Sequence, residues 1–181
     1  MSAGPVRSMR VVAGEFRGRR LHAPRGARTR PTADRVREAL FSMLGDVTGA
    51  RVLDLYAGSG ALGIEALSRG AESALFVERD RQALAALRRN LDAVGVDADV
   101  RAKDALRFMS RPDGVFDLVF CDPPYDNAPR VAAALSEALP GMTGENARIV
   151  TESDKRNPLI LPLPLVVERT YGDTRIAIHS T

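Results

Sequence analysis

The chain has 181 residues, 45% hydrophobic and 27% charged, which suits one compact domain with small appendages and excludes a largely disordered polymer. No apolar run approaches the roughly 18 residues of a membrane helix, the arginine-rich start lacks the apolar stretch of a signal peptide, and a lone cysteine, Cys121, makes neither an internal disulfide nor a Cys/His metal site. A cytoplasmic protein without a metal is therefore expected, and its net charge of +3 hides an uneven split: +8 over residues 1 to 37, which hold ten arginines, against −5 over the remainder.

Such a basic arm on a mildly acidic body points to a polyanionic partner met by the arm. A solvated tail is the bland alternative, because Lys103 and Lys155 are the only lysines and arginine is simply the basic residue this chain uses. In chain order, Met9 to Ala13 and Arg19 to Ala23 are short apolar-containing runs joined by Gly14-Glu15-Phe16-Arg17-Gly18, the pattern of a β-hairpin that Pro24 ends. Pro24 to Pro31 reads as a connector. Thr32 suits an N-cap, and the spacing of Val36, Ala39, Leu40, Met43 and Leu44 predicts a helix burying that stripe, with Arg35 and Arg37 off it.

From Arg51 short apolar strands alternate with amphipathic helices, the signature of βαβ units and a parallel sheet. Strands are expected at Val52 to Leu55, Ala74 to Val77, Asp99 to Ala102, Leu118 to Cys121 and Arg148 to Thr151. The clearest helix, Arg81 to Val94, buries Leu84, Leu87, Leu91 and Val94. Leu165 to Thr170 and Thr174 to His179 predict an antiparallel hairpin that adds edge strands. The fold class is thus a doubly wound, mostly parallel α/β sheet. Residues 1 to 30 form a basic arm and residues 31 to 181 the main domain.

The first strand runs into Asp54-Leu55-Tyr56-Ala57-Gly58-Ser59-Gly60-Ala61-Leu62-Gly63, which satisfies the G-x-G-x-x-G spacing between a strand and a helix. Glu78, at the end of the next strand and 20 residues after Gly58, is placed for ribose hydroxyls. An adenosine-type cofactor follows. Asp54 discriminates among such cofactors: a carboxylate beside the loop repels a pyrophosphate but favours S-adenosyl-L-methionine, which carries a sulfonium and an ammonium and no phosphate. Asp54 could instead only cap its turn. Asp104 suits either the adenine amino group or the N-cap of the helix that follows.

The sharpest motif is Asp122-Pro123-Pro124-Tyr125, where two prolines end the fourth strand in a stiff loop on the ligand side of the sheet. It suits methylation of an exocyclic amine conjugated to a base, whose lone pair is delocalised. Asp122 and the Pro123 carbonyl can accept the two amine hydrogens, and Tyr125 can stack on the base. His22 and His179 read as surface or packing residues, and Cys121 as a buried thiol, since methyl transfer to an amine needs no covalent intermediate.

These residues resemble a class I, Rossmann-like methyltransferase through Asp54 to Gly60, Glu78, Asp104 and Asp122 to Tyr125. More narrowly, the chain from Arg10 onward resembles the bacterial 16S ribosomal RNA guanine-N2 methyltransferase family. Arg10-Val11-Val12-Ala13-Gly14, Gly18-Arg19 and the block Arg30-Pro31-Thr32-Ala33-Asp34-Arg35-Val36-Arg37-Glu38-Ala39-Leu40-Phe41 carry that match. The resemblance implies that Asp54, Ala57, Gly58, Gly60, Glu78, Asp104 and Ala105 line the cofactor site. Asp122, Pro123, Pro124 and Tyr125 would be the catalytic loop that receives the base. Arg10, Arg17, Arg19, Arg20, Arg28, Arg30, Thr32 and Arg35 would hold 16S rRNA, free or within an assembling small subunit, with the enzyme acting as a monomer. The rivals are an adenine-N6 DNA methyltransferase, a protein-glutamine methyltransferase and a non-catalytic RNA-binding module that keeps a vestigial cofactor fold.

Overall fold

The computed structural model describes residues 9–24 and 34–181. Thr32, Arg28, Arg30 and most of the Pro24 to Pro31 connector lie outside the described residues. The elements in chain order are β1 (Met9–Arg10), β2 (Arg20–Leu21), α1 (Asp34–Leu44), β3 (Arg51–Leu55), α2 (Ala61–Ser68), β4 (Ser73–Glu78), α3 (Arg81–Val94) and β5 (Asp99–Ala102). There follow α4 (Ala105–Met109), β6 (Phe116–Cys121), a 3-10 turn at Tyr125–Asn127, α5 (Ala128–Met142), β7 (Thr143–Asp154), β8 (Leu165–Tyr171) and β9 (Thr174–Ser180).

Seven strands form one sheet in the order β5-β4-β3-β6-β7-β9-β8, and β1 and β2 pair separately. The first five are parallel to their neighbours; β9 runs antiparallel to both β7 and β8, so the C-terminal hairpin extends one side of the sheet as expected. Alternation along the strands sends Val52, Phe76, Leu118, Phe120 and Val150 toward α1, α2, α3 and the N-terminal hairpin. Leu53, Leu55, Val77, Val119 and Ile149 face α4 and α5. The strand order reverses between β3 and β6, since β4 and β5 lie to one side of β3 and β6 and β7 to the other. That switch point is where a ligand crevice opens in such folds.

The helix α3 has the bounds of its sequence reading, and the structure adds its caps: Asp80 accepts from the Gln82 and Ala83 N–H groups, and Gly95 ends it in the left-handed region. Leu84, Leu87, Leu91 and Val94 are all buried. Helix α1 requires a correction. Arg37, expected off the buried face, is completely buried and shares its stripe with Leu40, Phe41 and Leu44, at spacings of three, four and seven residues. Acceptors meet two of the three guanidinium nitrogens, Glu65 Oε2 at 3.4 Å from Nε and, at Nη2, Asp34 Oδ1 at 3.0 Å and the Arg10 carbonyl, while the buried Nη1 has no hydrogen-bond partner among the described residues. Phe41, one position along the same face, meets Phe120 at 5.8 Å between ring centroids and sits under the Arg69 guanidinium.

Glu65 also explains why the N-terminal hairpin stays on the body. Its two oxygens accept from the Val12 N–H at 2.7 Å and the Ala13 N–H at 3.0 Å, while Arg69 holds it from its own helix at 2.8 Å. Ser68 adds its carbonyl to the Glu15 N–H and its hydroxyl to the Phe16 N–H. Met9, Val11 and Leu21 are buried in the core, each gaining on the order of 1.5–3 kcal/mol from leaving water. Only two residue pairs form ladder; Val11 exchanges further backbone bonds with Arg19 and Gly18, and the turn from Gly14 to Gly18 is seated on α2.

Gly14 is the position this docking cannot do without. Its φ is +82°, and a Cβ there would fall 1.7 Å from the Ser68 carbonyl oxygen. Gly14→Ala is therefore expected to destabilise the protein by about 3 kcal/mol or more in a urea titration. A loss under about 1 kcal/mol would show that the turn is not seated on α2 in solution.

Candidate active site

The loop after β3 opens with Tyr56 in the left-handed region at φ +60°, an unusual conformation for a residue with a side chain, and the chain then turns through Gly58 and Gly60 into α2. Gly60 is required twice over: its φ is +77°, and a Cβ would strike the Leu87 side chain at 2.3 Å. Ala57 donates to the Val77 carbonyl, which pins the loop to the end of β4.

Asp54 lies beneath this loop, 2% exposed, accepting from the Gly63 N–H in the first turn of α2 at 3.0 Å. Burial pushes its carboxyl up to about 8, against the lowering effect of that N–H, and the Glu78 carboxylate adds to the rise. A buried carboxyl with so few fixed donors is one that a cationic ligand would turn into a carboxylate.

Glu78 does more than the sequence reading gave it. Oε2 accepts from the Gly58 N–H at 2.8 Å, and Oε1 from the Arg79 and Asp80 N–H groups. The carboxylate therefore shapes both the glycine loop and the entry to α3, with lone pairs left to accept from hydroxyls. Asp104 caps α4 through the Arg107 N–H at 3.2 Å and pairs with Arg79 at 2.8 Å, tying the ends of β4 and β5 together. Ala105 begins α4 and is buried. These positions all fall at the carboxyl ends of β3, β4 and β5, on the rim that the sequence reading assigned to the cofactor.

Across the switch point, Asp122 follows β6 directly. Cys121 pairs with Thr151 in parallel register, so Asp122 and Glu152 stand side by side on adjacent strands and face the same side as Asp54. Burial first, then the Glu152 and Asp54 carboxylates, hold the Asp122 carboxyl well above the usual range. Glu152 was missed by sequence reasoning: an isolated glutamate inside a strand carries no motif, and only the register reveals its neighbour.

Pro123 is buried and Pro124 and Tyr125 are exposed at the mouth. The C-terminal half braces this loop: Asn157 donates to the Tyr125 carbonyl at 3.0 Å, and the Tyr125 hydroxyl lies 3.3 Å from the Thr174 hydroxyl. Cys121 is buried and its thiol is pushed upward by desolvation, then by Asp122 and Asp54, which removes it as a nucleophile. His179 is buried against the Leu163 carbonyl, and His22 meets the body through its backbone. Of the candidate RNA residues described, Arg10, Arg17, Arg19, Arg20 and Arg35 are exposed, and Arg19 reaches the Ala93 carbonyl.

With this geometry in view, residues 9–180 match the family model described as Conserved hypothetical protein 95. Ribosomal RNA small subunit methyltransferase D of Haemophilus influenzae is 37% identical over 174 residues, 91% of this chain and 89% of its own. The enzyme of that name from Escherichia coli strain K12 is 38% identical over 158 residues, 83% of this chain and 77% of its own. The chain belongs to the small subunit methyltransferase D family. The solved structure of Escherichia coli yhhF superposes with a TM-score of 0.84 at 34% identity, over 96% of this chain and 97% of that one. A more distant solved methyltransferase, complexed with S-adenosylhomocysteine, shares the fold at a TM-score of 0.64 and 14% identity, over 82% of this chain and 49% of its own. The family's sheet is thus the Rossmann-like methyltransferase sheet, and no described helix is long and apolar enough to cross a membrane.

Proposed function

We propose that this chain transfers a methyl group from S-adenosylmethionine to the N2 amine of a guanine in 16S rRNA. The observation that carries this reading is the Asp122-Pro123-Pro124-Tyr125 loop at the switch point, with Asp122 beside Glu152 and across from the glycine loop. The residues fit the cofactor: the rim offers a buried carboxyl at Asp54, acceptor oxygens at Glu78, and a glycine turn whose backbone a ligand can approach. When bound, S-adenosylmethionine supplies the electrophilic methyl group.

The chain's own residues do the rest. Asp122 and the Pro123 carbonyl accept the hydrogens of the incoming amine and favour a more tetrahedral nitrogen. The raised proton affinity of Asp122 suits it to hold the proton that the methylated nitrogen sheds. Tyr125 stacks on the extruded guanine at the exposed mouth. The two stiff prolines hold acceptor and donor in line, which lowers the barrier through positioning. Residues 1 to 30 act as the RNA-gripping arm and residues 31 to 181 as the transferase, although the hairpin is packed into the body. The enzyme works in the cytoplasm as a monomer, on 16S rRNA within an assembling small subunit.

Labelled S-adenosylmethionine, offered with protein-free 16S rRNA or with isolated small subunits, tests the reading. Nuclease digestion and mass analysis should yield N2-methylguanosine. N6-methyladenosine, or no label in RNA, would overturn it.

The arm is tested separately, and without truncation, since Met9, Val11 and Leu21 belong to the core. Arg17 and Arg20 are exposed, so replacing both by glutamine leaves the packing intact. Each phosphate contact contributes a slope of about −0.7 to −0.9 in log affinity against log salt. Losing two should flatten the slope by roughly 1.5 while S-adenosylhomocysteine affinity stays unchanged. An unaltered slope in filter binding would move the RNA surface away from these two arginines.

A further inference from the structure

The N-terminal hairpin and the glycine loop are distant in sequence yet meet at one side chain. Asn90, on α3, is completely buried. Its Oδ1 accepts from the His22 N–H at 2.7 Å, and its Nδ2 donates to the His22 carbonyl at 3.0 Å and to the Ser59 carbonyl at 2.9 Å. Ser59 is the residue between Gly58 and Gly60. A second contact joins the same places, because the Ser59 hydroxyl lies 4.0 Å from the Met9 sulfur. One end of the hairpin, Met9 in β1, therefore meets Ser59 directly, and the other, His22 just after β2, is tied to the same residue through Asn90.

A carboxamide has two donor hydrogens, and here one goes to each partner. Shifting His22 relative to Ser59 must either drag the loop or leave a buried donor unpaired. Packing alone does not call for an amide at this position: Leu87 and Leu91, its neighbours on the buried face of α3, fill the core with apolar groups. The amide is distinctive in that it fixes the height of the loop backbone against the hairpin backbone.

We infer that Asn90 is a positioning residue that couples RNA on the hairpin to the cofactor loop, so that each ligand raises affinity for the other. The inference rests on the hairpin holding RNA, as proposed above. Reciprocity is obligatory for such a coupling, which gives two independent measurements of one factor.

The experiment is equilibrium dialysis of labelled S-adenosylhomocysteine against the whole protein, with and without saturating 16S rRNA, paired with filter binding of that RNA with and without S-adenosylhomocysteine. In the wild type both should tighten by the same factor, about 5-fold or more. Asn90→Asp keeps the acceptor for the His22 N–H and loses both donated bonds, so its factor should fall to about one. Should the aspartate not fold, Asn90→Ser, which can donate to only one side, takes its place.

A purely structural bolt predicts lower thermal stability with the coupling factor unchanged, and that result overturns the inference. Wild-type protein that binds RNA without any change in cofactor affinity also overturns it, while leaving the RNA-binding reading intact. Wild-type protein that binds no RNA brings down that reading and the inference with it.

Discussion

Asp122→Ala is expected to abolish methyl transfer, by at least 100-fold in single-turnover rate, while S-adenosylhomocysteine affinity stays within a few-fold of wild type. The reason is geometric. Asp54 and Glu78 hold the glycine-loop side of the crevice, whereas Asp122 is on the opposite lip, one residue past the Cys121–Thr151 pair that brings it beside Glu152. In the proposed role, the acceptor for one amine hydrogen and the base for the shed proton are lost together while the Pro123 carbonyl remains, and removing a group of this kind commonly costs about 10²–10⁴ in rate.

The pH profile supplies a finer check. In the proposed role Asp122 accepts only when deprotonated, and its carboxyl is held above the ordinary range by burial, Glu152 and Asp54. Activity should therefore rise with pH along an acid limb placed higher than an isolated aspartate would give. Removing one neighbouring charge with Glu152→Gln should move that limb to lower pH, because one source of repulsion is gone. Asp122 loses its proton against the charge of these neighbours, so the limb reports the interacting carboxyls rather than one isolated residue. Near-normal transfer by Asp122→Ala, or a limb that does not move in Glu152→Gln, would end the proposed role.

Asp54→Asn should part stability from binding. In the folded protein the Asp54 carboxyl sits at about 8, against 3.8 for an unperturbed aspartate. The native state thus holds this proton more tightly than the unfolded chain does, and stability falls as pH rises from about 4 to about 8. Asparagine is nearly isosteric, still accepts from the Gly63 N–H, and does not titrate. At pH 9 the variant should melt roughly 5 °C above the wild type, and the gap should close toward pH 4.

Cofactor affinity should move the other way. Without a carboxylate to meet the ammonium or sulfonium, S-adenosylmethionine should bind about 10- to 100-fold more weakly, the worth of a hydrogen bond to a charged partner. Wild-type binding should also strengthen between pH 6 and 8 and release a proton, visible as a buffer-dependent heat in calorimetry. A melting gap that is constant across pH, or an affinity unchanged by the substitution, would show that Asp54 neither holds that proton nor meets the cation.

The legible parts of this molecule were those in which the message is local. The glycine loop, the acidic residue 20 positions on and the Asp122 loop announce themselves within ten residues or at a fixed offset, and α3 is written in its own periodicity. The residues that escaped are defined by distant partners. Arg37 reads as a solvent-facing cation until Glu65, 28 residues later, is placed beneath it. Asn90 interrupts an apolar face without explanation until His22 and Ser59 arrive. Glu152 acquires meaning only from the parallel register that sets it beside Asp122. Capping likewise had two readings at Asp104: the structure shows the cap and an ion pair with Arg79 together.

The seating of the hairpin has a consequence for the order in which the chain matures during synthesis. Residues 12 to 22 emerge early, but the groups that receive them, Glu65, Ser68 and Asn90, lie 52 to 68 positions downstream. At about 5–20 residues per second, the arginine-bearing ribbon spends several seconds outside the exit tunnel without its docking surface. A two-stranded hairpin this short is marginal in water on its own. A nascent chain stalled before residue 90 therefore displays the cationic segment as an open strand, and its native shape is acquired only when the third helix has been made.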